Sequence, residues 1–175
     1  MLRLTKKADY SLIALKYFAA RQLGSVAPSA SGQAAVLSAK EVADQCGIPL
    51  PLLSKLLQKL GKSGFLVAEY GTNGGYRLAR GPQFISALEV IRAIDGPIVL
   101  ANCFTADSFC GYSDRCTLKR PLRRIHEGIL RLLDSVSIQD MLLDSEEVPH
   151  EPLAAQLVAL QSAPNSLQPQ ASARK

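Results

Sequence analysis

The stretch from Ser38 to Arg80, SAKEVADQCGIPLPLLSKLLQKLGKSGFLVAEYGTNGGYRLAR, constrains the fold more than any other part of this 175-residue chain. Ser38 and Glu41 stand at the spacing of a capping box, in which a hydroxyl and a carboxylate satisfy each other's orphan backbone donors at a helix start. That predicts a helix over about 39–46, stopped by Gly47. The turn GIPL then leads into PLLSKLLQKLGKSG, where Pro51 suits a first helical turn and Gly61 or Gly64 an exit. Two short helices joined this way are a helix-turn-helix. FLVAEY and YRLA read as strands around GTNGG, whose Asn73-Gly74 pair tolerates the positive φ of a tight hairpin. A hairpin directly after a helix-turn-helix is a wing. The expected fold is mainly α, a winged helix-turn-helix with a β-hairpin wing followed by a long dimerisation helix.

The flanks fit that frame. Leu4, Ala8, Leu12, Leu15 and Phe18 recur at three- and four-residue steps and predict a first helix over about 5–21. GSVAPSASGQAAV reads as a loop. Ser86 and Glu89 repeat the capping-box spacing and open a helix over about 86–94 that Gly96-Pro97 ends. Leu122, Ile125, Ile129, Leu132 and Val136 then form a two-heptad apolar seam. Such a seam can lie on its own domain's core. Because the first 95 residues already read as a self-contained unit, the equivalent helix of a second subunit is the more natural cover. The expected organisation is a DNA-binding unit at 1–97, a cysteine-containing loop at 98–120, a dimerisation helix at 121–143 and a tail at 144–175. The tail is rich in Pro, Ser and Gln, and disorder is expected there apart from a short helix at 153–161.

Charge is unevenly placed. Residues 1–80 carry eleven Lys and Arg against four Asp and Glu, a net of +7, whereas the rest nets −2. The basic half is the expected nucleic-acid contact. The start, MLRLTKKADY, is too polar for a signal peptide, and no apolar run reaches the roughly 18 residues of a membrane span, so a cytoplasmic protein without membrane contact is expected.

B-DNA's major groove admits one α-helix, whose side chains read base edges while flanking cations neutralise phosphates. The second helix of the motif supplies Ser54, Lys55, Gln58 and Lys59, fixed by the apolar stripe Leu53, Leu56, Leu57 and Leu60. Lys6, Lys7, Lys62, Arg77 and Arg80 are the expected phosphate contacts, with Asn73 and Tyr76 near a wing tip that could enter the minor groove. Any single lysine is as readily a solvated surface charge. The joint arrangement is far more specific, and double-stranded DNA is the expected partner.

Three of the four cysteines, Cys103, Cys110 and Cys116, fall within fourteen residues. In a reducing cytosol, clustered thiols are more often metal-binding or redox-active than structural disulfides. The C-x6-C-x5-C spacing lacks the close C-x2-4-C pairs of structural zinc sites, yet spacing alone leaves an iron-sulfur cluster, zinc and thiol redox chemistry open. Cys46, among apolar residues, reads as a small buried hydrophobe. With two histidines, no phosphate-binding glycine loop and no nucleophile-base pattern, nothing suggests an enzyme.

RLTKKADYSL, the motif stretch quoted above, GGYRLAR and the three-cysteine segment before a long helix together resemble the IscR/NsrR-type bacterial transcription regulators, the Rrf-two family, over about residues 2–140. IDGPIVLANC with the cysteine spacing is most similar to the branch encoded with the SUF iron-sulfur assembly machinery. The resemblance implies a homodimeric winged-helix repressor or activator of iron-sulfur assembly, redox or nitric oxide response genes. It implies an iron-sulfur cluster, 2Fe-2S favoured over 4Fe-4S, held by Cys103, Cys110 and Cys116. Some members carry a histidine three residues after the last cysteine; here Lys119 stands there and has no lone pair to donate. Others recruit an aspartate from the first helix, and Asp9 matches that position. His126, Asp107 and Asp114 are further candidates, each with a plain structural reading as well. Tyr70 replaces the Arg that many relatives have before the wing glycine, and Pro51 replaces Ser, so the operator is expected to differ. The rival readings are the same fold with a thiol-disulfide or zinc switch, and a small iron-sulfur electron-transfer protein.

Overall fold

The structure, a computed structural model, describes residues 3–24, 36–71, 74–104 and 115–143. Among them the elements run α1 (Lys6–Gly24), α2 (Ala39–Cys46), α3 (Leu50–Lys62), β1 (Leu66–Glu69), β2 (Gly75–Leu78), α4 (Ala87–Asp95), α5 (Lys119–Ser135) and α6 (Ile138–Leu143), with 3-10 turns at Pro82–Phe84 and Asn102–Phe104. This is the expected mainly helical winged helix-turn-helix. Asn73, Cys110, Asp107, Asp114, most of the 24–37 loop and the whole 144–175 tail lie outside the described residues.

The core forms because four helices each turn one apolar stripe inward. α1 buries Ala8, Ser11, Ala14, Leu15, Phe18 and Ala19. The one hydroxyl in that stripe is satisfied locally, Ser11 Oγ donating to the Lys7 carbonyl at 2.8 Å. α3 buries the predicted Leu53, Leu56, Leu57 and Leu60. α4 adds Leu88, Val90, Ile91 and Ile94. Burying side chains of this size contributes about 1.5–3 kcal/mol each, so these stripes dominate the stability of the unit.

The helix-turn-helix is set by its punctuation. Ser38 Oγ accepts from the Glu41 backbone N–H at 3.1 Å, one half of the expected box. The Glu41 carboxylate instead meets Arg21 of α1 at 3.4 Å. Gly47 ends α2 in the left-handed region at φ 65°, where a side chain would be strained. Pro49 caps α3, and Pro51 sits in its first turn, where no backbone donor is lost.

The wing pairs antiparallel in the register Leu66 with Leu78, Val67 with Arg77, Ala68 with Tyr76 and Glu69 with Gly75. Leu37 adds an isolated bridge to Tyr76, exchanging two backbone hydrogen bonds of 2.9 Å. A Cβ on Gly75 would collide with the Leu37 carbonyl, so this close strand contact requires glycine.

The C-terminal part departs from the expectation. The expected helix over 121–143 is two helices, because α5 stops at Ser135 and Val136 is extended at φ −96° and ψ 112°. Ala87 N–H donates to the Val136 carbonyl at 2.8 Å, and Ile138 N–H to the Ile85 carbonyl at 2.9 Å. Those bonds stitch 136–138 beside the start of α4. Ile138 is then fully buried in the core, so the expected 1–97 unit draws a core residue from far beyond its boundary. α6 is capped at its start by Ser137 and Asp140: Ser137 N–H donates to Asp140 Oδ2 at 2.8 Å and Asp140 N–H to Ser137 Oγ at 3.1 Å. No helix among the described residues is long and apolar enough to cross a membrane.

Candidate functional site

The expected reading face lies on α3. Its leucines anchor one side, which leaves Lys55, Gln58 and Lys62 exposed and Ser54 half-buried on the other. Among the described residues neither Lys55 nor Lys62 has an ion-pair partner. Lys6 and Lys7 are exposed in the first turn of α1, the positive end of the helix dipole. Cations cost stability there, so the fold itself gives no reason for them.

The remaining predicted contacts among the described residues are engaged within the protein. Lys59 Nζ donates to the Ile94 carbonyl in the last turn of α4 at 2.8 Å, tying α3 to α4. Arg77 pairs with Glu69 across the hairpin at 2.8 Å. Arg80 pairs with Glu89 at 2.9 Å and lies over the Phe65 ring, 5.5 Å from its centroid. Tyr76 is half-buried against the core rather than free at the wing tip, because its backbone is clamped to Leu37. The aromatic residue that the wing does present is Tyr70, 96% exposed one residue beyond β1. In the sequence its only signal was its place before Gly71.

The cysteine segment lies between α4 and α5. Cys103 is half-buried and Cys116 exposed, both as free thiols. Beside Cys103, the Phe104 ring stacks on His126 of α5 with centroids 5.2 Å apart and planes 24° from parallel. His126 Nδ1 is buried with no hydrogen-bond partner among the described residues. A buried polar atom left this way costs about 1–3 kcal/mol and calls for an explanation such as an ion or water. Among the described residues no three His, Cys, Asp or Glu side chains converge as a metal site, and Cys110 stands outside them. Asp9 is exposed in the first turn of α1. Cys46 packs against the core, where burial pushes its thiol pKa up, as suits a structural cysteine.

Two features of α5 complete the picture. Arg115, Arg120, Arg123 and Arg124 are exposed around its start, with Lys119 half-buried among them and no acidic residue in the first turn. The dense cationic run is plain in the sequence, interleaved with the apolar seam. Of that seam, Ile125 is 53% and Leu132 61% exposed, Leu122 and Ile129 are half-buried, and the helix has no fully buried residue.

Known proteins share this architecture. The solved structure of CymR, the global cysteine regulator of B. subtilis, superposes with a TM-score of 0.62 at 24% identity, covering 81% of this chain and 97% of that one. T. potens IscR gives 0.60 at 24% identity, covering 88% and 96%. At the sequence level, the HTH-type transcriptional regulator NsrR of Bacillus licheniformis is 30% identical over 148 residues, 84% of this chain and 96% of that protein. The Rrf2 family, described as "Iron-dependent Transcriptional regulator", matches residues 4–144. With a reading helix, a wing and a family match over most of its length, the chain belongs to the Rrf2 (Rrf-two) family of transcriptional regulators, a non-enzymatic, DNA-binding class.

Proposed function

We propose that this regulator is an iron-sulfur-cluster sensor that binds operator DNA as a homodimer and controls iron-sulfur assembly or redox and nitric oxide response genes. The observation that carries the reading is the place of the cysteines, in the segment that leads from α4 of the DNA reader to α5. The donor set fits the group: soft thiols suit iron, and a buried imidazole nitrogen with no partner among the described residues belongs to His126, whose ring stacks on Phe104, the residue after Cys103. The cations around the start of α5 offset the negative charge of thiolate ligands. Cys103, Cys110 and Cys116 would hold the cluster, 2Fe-2S by preference, with Asp9 and His126 as candidates for the fourth position. When bound, it would supply a ligand set sensitive to oxidation, nitric oxide and iron supply.

The chain's own part is mechanical. Holding or releasing Cys103 and Cys116 changes the path from Gly96 to Leu118 and so the seating of α5 against α4. The exposed Ile125 and Leu132 would meet their equivalents in a second subunit. A two-fold dimer must match half-sites about 34 Å apart, so small shifts of α5 change how two α3 helices reach DNA. A coupling of about 1–3 kcal/mol alters affinity about 5- to 150-fold, enough for a switch.

Anaerobic purification followed by visible and Mössbauer spectroscopy tests this. Iron with visible absorbance, lost on replacing Cys103, Cys110 or Cys116 with Ala while the fold is kept, is the expected result. Retained colour in all three variants would overturn the assignment. A colourless protein holding zinc, or one forming a disulfide on oxidation, would establish the rival switch instead.

A further inference from the structure

A cavity of about 290 Å³ opens where the lead into α1, the end of α4 and α5 meet. Leu4, Ile91, Ile98, Val99 and Leu133 make its walls apolar. Two charged side chains of opposite sign, Arg3 and Asp95, share it. Opposite charges around one small cavity ordinarily pair, yet among the described residues no ion pair joins Arg3 to Asp95 or to any other carboxylate. Asp95 is held in place by the lead into α1: the Thr5 hydroxyl donates to Oδ1 at 2.6 Å and the Thr5 N–H to Oδ2 at 3.3 Å. Each carboxylate oxygen can still accept a second bond. The Thr5 bonds account for Asp95 in the fold. Nothing in the fold accounts for Arg3.

Apolar walls with a few placed polar groups are the usual make-up of small-molecule sites, and this cavity stands at the small end of their range of about 300–1,000 Å³. We propose that it binds a free amino acid with an apolar side chain, the carboxylate on Arg3, the ammonium on Asp95 and the side chain between Ile91, Val99 and Leu133. A guanidinium is the best-matched partner for a carboxylate, which it can take through two parallel bonds. A simple carboxylic acid would bring its charge beside Asp95 with nothing to offset the repulsion, and a simple amine would leave Arg3 unserved. A zwitterion answers both. Its side chain would touch α4 and α5 at once, so the supply of an apolar amino acid becomes a second input to the α4–α5 contact. The proposal goes beyond the cluster reading and does not depend on it.

Calorimetric titration of the full chain with L-leucine and L-phenylalanine tests this. Saturable binding of at least one is expected. Two analogues of L-leucine should each bind about tenfold more weakly or worse, because each loses one charged contact: L-leucinamide lacks the carboxylate and isocaproate lacks the ammonium. Arg3→Gln should bring L-leucine down to the level that L-leucinamide shows with the wild type. Val99→Phe, which fills the cavity, should abolish binding while circular dichroism stays that of the wild type. The analogues are measured on the wild-type chain, so the charge requirement is tested whether or not a variant folds. No binding of either amino acid at millimolar concentration, equal binding of L-leucinamide or isocaproate, or full binding by a folded Val99→Phe would each overturn the proposal.

Discussion

Ser86 Oγ donates to Asp134 Oδ1 at 2.9 Å while accepting from the Glu89 backbone N–H at 3.2 Å, so one hydroxyl both caps α4 and holds the end of α5. Glu89 completes the box by accepting from Ser86 N–H at 3.1 Å, and the same carboxylate oxygen takes the Arg80 guanidinium at 2.9 Å. The root of the wing, the cap of α4 and the end of α5 are thus joined through four side chains. Ser86→Ala should cost about 0.5–2 kcal/mol, the usual range for a lost N-cap. Asp134→Ala leaves the cap in place and, at an exposed site, should cost under about 1 kcal/mol. Denaturant midpoints of the two variants check the order.

Lys59 and Lys62 are neighbours on α3 that the proposed function gives different duties. Lys62→Ala should lower the salt slope of DNA binding by about one, as expected for one lost phosphate contact. Lys59→Ala should leave the slope unchanged and instead cost about 1 kcal/mol of stability, because its ammonium serves the Ile94 carbonyl. Affinity titrations at several salt concentrations, with melting curves alongside, separate the two.

The exposed seam of α5 sets the oligomeric state in the proposed function. Ile125→Glu and Leu132→Glu each place a charge on a surface that is already open in the single subunit, so folding should survive. Sedimentation should show a shift from dimer to monomer, with operator affinity reduced at least tenfold because two half-sites no longer bind together. A dimer that persists in both variants would move the interface elsewhere.

Acid should loosen α6 before it unfolds the reader. Hydrogen bonds from the Ser137 side chain and backbone hold the Asp140 carboxyl below its usual pKa. A carboxylate depressed in the folded state contributes stability that is present above its unfolded pKa and is lost as pH falls through the folded value. Below about pH 4 the cap at Ser137 should therefore weaken, whereas Asp140→Asn should be insensitive over the same window. Amide hydrogen exchange of residues 138–143 across that range measures the effect.

Much of this was legible in the sequence because the signals are local. The Ser86 box needs only four residues, and the α2 helix over 39–46 is bounded by a serine and a glycine that announce themselves. Leu53, Leu56, Leu57 and Leu60 declare a buried stripe by spacing alone. The site was harder to read, for reasons of pairing. Lys59 looks like any exposed lysine until the Ile94 carbonyl, thirty-five residues on, is placed beside it. Arg77 meets Glu69 only because of the hairpin register. Tyr76 and Tyr70 could not be told apart before the Leu37 bridge showed which of them is turned inward. Nor does heptad spacing reveal that Val136 leaves the helix, since that depends on backbone bonds to Ile85 and Ala87.

The return of the chain at Ile138 has a mechanical corollary. The chain leaves the reader after Asp95, at one end of α4, and returns at Ile138 beside the other end. In the proposed function, whatever shortens, stiffens or slackens that connection would be felt at both ends of α4, and the Lys59 bond to Ile94 links α4 to α3. In the proposed function the cysteines would act like a hand on a bowstring, with tension set among them delivered through α4 to α3.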